Sequence, residues 1–572
     1  MTNAALLQVL LFLITILILV KPLGWYMAKI YEKKSCGTIE HFIYRVCNIH
    51  PENEMSWKSY LSAMLIFNFV GLLLVYLLQR IQFYLPLNVQ GFSGIAPDLA
   101  FNTAISFTTN TNWQAYVPEA SMSYLTQMLG FTVQNFLSAA TGMSLLMALI
   151  RGLTRHETDK LGNYWVDTVR GILYILLPLA FILAIFLSSQ GVLQNFKPYQ
   201  PVSTLQTTNE PQILPMGPMA SQIAIKQLGS NGGGFLNANA AHPFENPTPL
   251  TNMLEMLAII LIPASLCITY GTLIKDQRQG IALLVAMILL FTPLACLTIE
   301  REQSGNPAFT QMGIDQTPRE KLFSGGNMEG KEIRFGIVNS SLWAAASTTT
   351  SNGSVNAMLD SFTPIGGLVP LWLMHLGEII FGGVGSGLYG MLMVVIITVF
   401  AAGLMVGRSP EYLGKKIEPF EMKMASITVL VMPMTVLLCT AAACITKMGT
   451  GSLLNTGAHG FVEMLYAFTS MVNNNGSEFA GLNANTPFYN TLGGMAMLIG
   501  RYWMVIPPLA IAGSLAQKKL IPAGPGTLPT HTSFFVFLLL GVILVLGSLT
   551  FFPALALGPI VEHLILWEQY GR

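Results

Sequence analysis

Four short polar segments of this 572-residue chain share an order of residue types that could hold a cation with main-chain oxygens. They read Thr109-Asn110-Thr111-Asn112-Trp113, Gly229-Ser230-Asn231-Gly232-Gly233, Thr350-Ser351-Asn352-Gly353-Ser354 and Asn473-Asn474-Asn475-Gly476-Ser477. Three carry Asn-Gly, and the first carries Thr-Asn instead. Taken singly, Asn-Gly is a turn dipeptide and needs no further meaning. Recurrence at equivalent places changes that. Gly and Asn reach positive φ at least cost, so such a segment can turn successive carbonyls toward one axis. Four of them around that axis could replace the hydration shell of an ion. Asn352-Gly353-Ser354 and Asn475-Gly476-Ser477 also match the glycosylation sequon, a pattern short enough to arise by chance.

The elements that must position these segments are membrane helices. Only 10% of residues are charged and 52% are hydrophobic, where soluble domains run near ~25% charged. Apolar runs long enough for a hydrocarbon core of about 30 Å cover residues 4–20, 60–78, 124–150, 165–187, 250–274, 281–299, 368–405 with a glycine-rich break, 422–445, 489–515 and 533–552. Between alternate runs lie weakly apolar stretches at 98–117, 217–242, 338–359 and 460–482, each containing one polar segment. Polar extended backbone at membrane depth must line a cavity or be buried in protein. The reading is an all-α polytopic membrane protein with ten transmembrane helices. Four repeats of helix, re-entrant loop and helix surround a pseudo-fourfold pore, with one extra helix at each end. The divisions fall at 1–58, 59–151, 152–274, 275–406, 407–519 and 520–572, the outer two being the N-terminal helix with its loop and the C-terminal helix.

No basic residue precedes the first run, whereas Lys21, Lys29, Lys33 and Lys34 follow it. That order argues against a cleaved signal peptide and for a helix entering from outside. The loops then assigned inside also collect Arg151, Arg155, Lys160, Arg408, Lys415, Lys416, Lys518 and Lys519. Outside cations are fewer, and half of them, including Arg319 and Lys321, sit in one long loop. Both termini, the latter ending at Arg572, are predicted outside.

Carbonyl dipoles without nearby carboxylates favour a large, weakly hydrated monovalent ion over Mg²⁺ or Ca²⁺, which makes potassium the candidate. Short pore helices would add their negative C-terminal dipole ends. The break at Gly382-Gly383-Val384-Gly385-Ser386-Gly387 frees backbone groups inside the membrane and reads either as a gate or as a plain kink. Gly385 to Gly390 spells G-x-G-x-x-G, but no strand precedes it, so a dinucleotide site is rejected. Arg501 falls near the middle of the ninth run, where a charge costs at least ~2.5 kcal/mol. It is either a cation facing the pore or the partner of a carboxylate such as Glu378; Glu378 could equally be a helix-end charge. Six scattered Cys and eight His without ligand spacing predict no disulfide scaffold and no transition metal. A net charge of +1 without basic runs excludes nucleic acid as a main partner.

On these residues the fourfold repeat resembles the Trk/Ktr/HKT superfamily of potassium transporters. The end helices and the stretch SNGGGFLNANAAHPFENPT (230–248), echoed by GLNANTP (481–487), resemble the potassium-binding A subunits of bacterial Kdp potassium-transporting ATPases. The resemblance covers the whole chain. It implies that Asn112, Gly232, Gly353 and Gly476 occupy equivalent filter positions, with Thr111, Asn231, Asn352 and Asn475 beside them and Ser230, Gly233, Ser351, Ser354, Asn474 and Ser477 flanking. Potassium channels have a second filter glycine in every repeat, whereas only the second repeat has one here, in Gly233 and Gly234, so a short filter is expected. Gly382, Gly383, Gly385 and Gly387 are implied as an intramembrane loop obstructing the pore, and Arg501 as a resting cation below the filter.

No G-x-x-x-x-G-K-[ST] loop is present, and Asp159-Lys160-Leu161-Gly162 has Leu where the phosphorylated motif of P-type pumps has Thr. No cytoplasmic connection is large enough for a nucleotide domain. The chain is therefore expected to bind no nucleotide and to be a non-catalytic subunit in the bacterial inner membrane. The resemblance implies as partners a catalytic P-type B subunit, a C subunit and a small F subunit. The alternative is a self-sufficient channel or gradient-driven potassium transporter.

Overall fold

A computed structural model describes residues 1–33, 35–205, 211–318, 325–405, 407, 409–522 and 527–571. Lys34, Arg319, Lys321, Arg408 and Arg572 lie outside the described residues. Among the described residues ten helices are long and apolar enough to cross a membrane, and four shorter helices sit between them in the expected alternation. The extra helices are Asn3–Glu32 and Ser533–Tyr570. Repeat 1 runs Trp57–Tyr84, pore helix Pro97–Thr108, Thr126–Thr154, and repeat 2 runs Tyr164–Ser189, Met219–Leu228, Pro249–Leu273. Repeats 3 and 4 follow the same plan from Gln277–Gln311 and Pro419–Ile445, with pore helices Gly336–Thr349 and Gly457–Asn473.

Within a repeat the two long helices differ in what they face. In repeats 1 and 2 the most apolar window of the first helix is 28% buried, and that of the second helix 83% buried. The first helices therefore spend their apolar faces on lipid, and the second helices line the interior. Small residues allow the close contacts: a side chain at Gly24 on the first helix would collide with Ile268, and Thr269 Oγ1 donates to Gly24 O at 3.0 Å.

Two of the second helices are broken. In repeat 3, Pro364–His375 stops and Ser386–Met405 begins after the predicted glycine-rich interruption. In repeat 4, the run read as one continuous pass divides into Pro487–Trp503 and Ile506–Gln517. Pro507 and Pro508 at the start of the second piece supply no N–H to the turn before them, which is the physical reason for the break.

Polar anchors hold the face assigned inside. Arg151 pairs with Asp167 at 2.6 Å, and Tyr60 OH donates to the same carboxylate at 2.9 Å. Buried Glu40, on the short helix Thr38–Val46, accepts from Arg170 Nε at 2.9 Å, Tyr44 OH at 2.7 Å, Tyr174 OH at 3.1 Å and Gly37 N at 3.1 Å. Lys415, fully buried on a two-stranded hairpin, donates through Nζ to Gly152 O at 2.8 Å, to Leu515 O at 2.7 Å and to Arg155 O.

Candidate functional site

Each pore helix ends on a carbonyl that collects the N–H groups of the segment after it. Ser106 O accepts from Thr111 N at 2.9 Å and Asn112 N at 3.1 Å, and Lys226 O accepts from Asn231 N at 2.9 Å and Gly232 N at 3.2 Å. Ser347 O accepts from Asn352 N at 3.0 Å, and Ser470 O from Asn475 N at 2.9 Å. A trans peptide points its C=O opposite its N–H. The carbonyls sharing a peptide with the Asn112 and Gly232 N–H groups, those of Thr111 and Asn231, therefore project away from their pore helices.

The backbone repeats fourfold. Asn112, Gly232, Gly353 and Gly476 have φ of 53°, 87°, 81° and 99°. Two residues earlier, Asn110, Ser230, Ser351 and Asn474 are also left-handed, at 70°, 49°, 56° and 58°. Thr111, Asn231, Asn352 and Asn475, between the two left-handed positions, are not left-handed themselves, and such alternation can gather N–H groups on one side of the chain. The earlier position is one that residue types alone did not reveal, because it uses Asn and Ser rather than Gly.

Adjacent segments close into a ring. A side chain on Gly232 would overlap the carbonyl oxygen of Asn352, one on Gly353 that of Asn475, and one on Gly476 that of Thr111. Between repeats 1 and 2, a Cβ on Gly233 would lie 2.9 Å from Asn112 Cβ. Side chains tie the quarters together: Asn231 Nδ2 donates to Asn110 Oδ1 at 2.6 Å, Asn352 Nδ2 to Lys226 O at 3.0 Å, and Ser351 Oγ to Asn474 O at 2.9 Å. Asn474 Nδ2 reaches Thr111 Oγ1 at 2.9 Å. The sequon match has no bearing, since Asn352 and Asn475 are fully buried and accept from Ser354 N at 3.0 Å and Ser477 N at 3.1 Å.

Behind the second quarter stands a buried ion pair that sequence reading missed. Lys226 Nζ pairs with Glu245 and donates to Asn239 Oδ1 at 2.8 Å, while Asn239 Nδ2 donates to Gly232 O at 2.6 Å. The stretch 230–248 thus has a structural reason. Asn239 and Glu245 return to brace the Gly232 peptide from the pore helix.

A cavity of about 490 Å³ opens on one side of the ring, lined by Asn112, Gly232, Gly353, Gly476, Lys331 and Glu478 among others. Lys331 is neutralised by Glu302 at 2.7 Å, with both side chains buried. On the other side a cavity of about 40 Å³ is lined by Ser351, Glu378, Gly383, Ser386, Asn474 and Arg501. The expected carboxylate-free surroundings are corrected here, because Glu478 lines the first cavity and Glu378 the second. Glu378 Oε1 accepts from Asn475 Nδ2 at 2.8 Å. Glu378 is 4% exposed and stands two residues beyond Leu376, the C-cap of Pro364–His375, at φ 48°.

The break lies directly under the ring. Gly382 N donates to Thr349 O at 3.1 Å, and a Cβ on Gly383 would stand 3.6 Å from Ser351 Cβ. Side chains on Gly382 and Gly387 would collide with one another's backbone, and Gly385 packs on the backbone of Gly142. Arg501, in the last turn of Pro487–Trp503, is 7% exposed and donates through Nη2 to Ser138 O at 3.3 Å. It lines the cavity below the ring together with Glu378, and among the described residues no ion pair joins the two.

Comparison with known proteins agrees with this architecture. The family described as potassium-transporting ATPase A subunit matches residues 10–564. A protein of Sorangium cellulosum (strain So ce56) is 60% identical over 577 residues, covering 99% of each chain, and one of Methylococcus capsulatus is 58% identical over 598 residues, covering 99% of each. Both are named potassium-transporting ATPase potassium-binding subunit. The potassium transporter TrkH from Vibrio parahaemolyticus shares the fold, with a TM-score of 0.51 at 14% identity over 85% of this chain and 96% of that one. With the family matched along nearly its whole length and relatives this similar, the chain belongs to the family of potassium-transporting ATPase A subunits.

Proposed function

We propose that this chain is the potassium-binding, ion-selecting subunit of an ATP-driven uptake pump. Potassium is held by the carbonyls of Thr111, Asn231, Asn352 and Asn475, with Asn112, Gly232, Gly353 and Gly476 giving the backbone its left-handed turn. The observation that carries this reading is the fourfold recurrence of paired left-handed residues in a ring too tight for side chains on three of its glycines. Main-chain oxygens fixed at the ends of four helix dipoles can replace the hydration shell of a large monovalent cation. The loop containing Gly382, Gly383, Gly385 and Gly387 obstructs the route below the ring, and Arg501 repels a cation that would otherwise run downhill. ATP is hydrolysed in a partner, the P-type B subunit, with C and F subunits completing the complex in the inner membrane and both termini outside. The structural divisions follow the four repeats and the two end helices.

The test is reconstitution. The purified chain alone should show neither ATPase activity nor ready potassium flux in liposomes, and the complex should show ATPase activity that rises with submillimolar potassium. Ready flux through the lone chain would instead make it a self-sufficient channel.

A further inference from the structure

The eight histidines, read along the chain, predict no metal centre, yet folding brings one of them against two carboxylates. Asp360, on the 3₁₀ turn Leu359–Ser361 beyond the third ring segment, meets His459 and Glu463 from the start of the fourth pore helix. One ligand atom from each lies within 4.8 Å of the others. His459 lies between two carboxylates, hydrogen-bonded through Nε2 to Asp360 Oδ1 at 3.0 Å and through Nδ1 to Glu562 Oε1, on the C-terminal helix, at 2.8 Å, so a metal ion on Nε2 would displace to solvent the proton shared there. Glu463 is fully buried: its Oε1 accepts from Asn455 Nδ2 at 2.7 Å, and its Oε2 has no hydrogen-bond partner. Gly481 keeps the space between the carboxylates open, since a Cβ there would overlap Glu463 Oε1 and stand 3.0 Å from Asp360 Oδ2.

A buried carboxylate oxygen without a donor costs about 1–3 kcal/mol, and Glu463, which carries it, stands in one cluster with a second carboxylate and an imidazole. We propose that Asp360, His459 and Glu463 bind a zinc-class divalent cation, with Glu562 orienting the imidazole from its Nδ1 side. One imidazole nitrogen and two carboxylate oxygens are a donor set for Zn²⁺, with bonds of about 2.0–2.2 Å and a fourth position left for water. Two tetrahedral ligands at that bond length stand about 3.3 Å apart, close to the 3.0 Å between Asp360 Oδ1 and His459 Nε2. A carboxylate on the far nitrogen is the partner that metal-bound histidines recurrently have. Asp360 and His459 are partly exposed, which gives an ion a way in. The bound ion joins three stretches distant in sequence, namely the flank of the third segment, the fourth pore helix and the C-terminal helix.

The experiment uses the full-length chain in detergent, stripped with a chelator and titrated with zinc alone. One zinc per chain should bind saturably and raise Tm. His459→Gln and Glu463→Gln should abolish both effects, and Glu562→Gln should weaken binding by about 10–100-fold. Cobalt(II) bound to the unaltered chain should give the visible absorption of a four-coordinate nitrogen–oxygen site, a readout that needs no variant to fold. Failure to bind one equivalent of zinc, or binding left intact in both His459→Gln and Glu463→Gln, overturns the proposal. These readouts do not involve potassium, so they stand or fall separately from the transport reading.

Discussion

The carbonyl oxygen of Asn352 occupies the space into which a side chain on Gly232 would have to project. The same relationship joins Gly353 to Asn475 and Gly476 to Thr111, so each of three glycines is excluded from growth by the next quarter of the ring. Gly353→Ala and Gly476→Ala should each weaken potassium affinity by about 10-fold or more and loosen discrimination against other cations. Left-handed backbone costs an L-residue roughly 1–2 kcal/mol, each ~1.4 kcal/mol is a tenfold change, and the steric overlap adds to it. Gly313→Ala is the control: it shares a left-handed φ of 76° but has open space around it, and it should leave affinity unchanged. Potassium-stimulated ATPase of the assembled complex measures both. Unaltered affinity in both filter variants, at normal protein levels, would move the ion elsewhere.

Arg501 carries the second prediction. Its guanidinium lines the small cavity beneath the ring and touches the backbone of Ser138. Arg501→Ala should raise potassium leak through the complex or uncouple ATP hydrolysis from transport, while leaving the order of ion preference intact. Flux and ATPase assays on the same liposomes separate these, and a change confined to selectivity would place the residue in the filter.

Asn239 and Lys226 give a prediction confined to one quarter. Asn239→Ala leaves the Gly232 carbonyl without its brace and should lower potassium affinity without unfolding the chain. Lys226→Met instead leaves Glu245 buried without its cation, a loss of about 3–5 kcal/mol, and should show first as lower Tm and yield. Thermal melting alongside potassium titration distinguishes the two; equal loss of Tm in both would reduce Asn239 to a packing residue.

On the opposite face, acid should loosen the short helix Thr38–Val46. Burial works against the charge on Glu40, but the hydrogen bonds from Arg170, Gly37 N and Tyr44 outweigh it and hold the carboxyl below its ordinary 4.5. Its stabilisation is therefore fully present above that value and lost as pH falls through the lowered pKa. Glu40→Gln should cost about 3 kcal/mol at neutral pH, and melting curves should show the gap to the unaltered chain closing on acidification. A gap that stays constant with pH would exclude charge as the source.

Much of the membrane plan could be read directly, because apolar runs of helix length and four recurring polar segments are local signals. The ring positions were legible where Gly reports left-handed backbone. The left-handed backbone itself was hidden at Asn110, Ser230, Ser351 and Asn474, where hydrogen bonds to the neighbouring quarter accompany that conformation in residue types that also occur in ordinary turns. Lys226 with Glu245, and Asp360 with His459 and Glu463, were illegible for another reason. Charge pairing across a fold leaves no periodicity in the chain. The break before Ile506 passed unnoticed since apolar residues continue across it, and Pro507-Pro508 also suits the first turn of a helix.

The Lys415 ammonium, seated among carbonyls from the ends of two helices, is a monovalent cation that can never leave, because its own side chain moors it. It bolts the C-terminal end of Thr126–Thr154 to the C-terminal end of Ile506–Gln517. The first and fourth repeats are thereby tied to one another away from the ring as well as at it. The helix so tethered is the one that carries Ser138, which Arg501 touches, and Gly142, against which Gly385 packs.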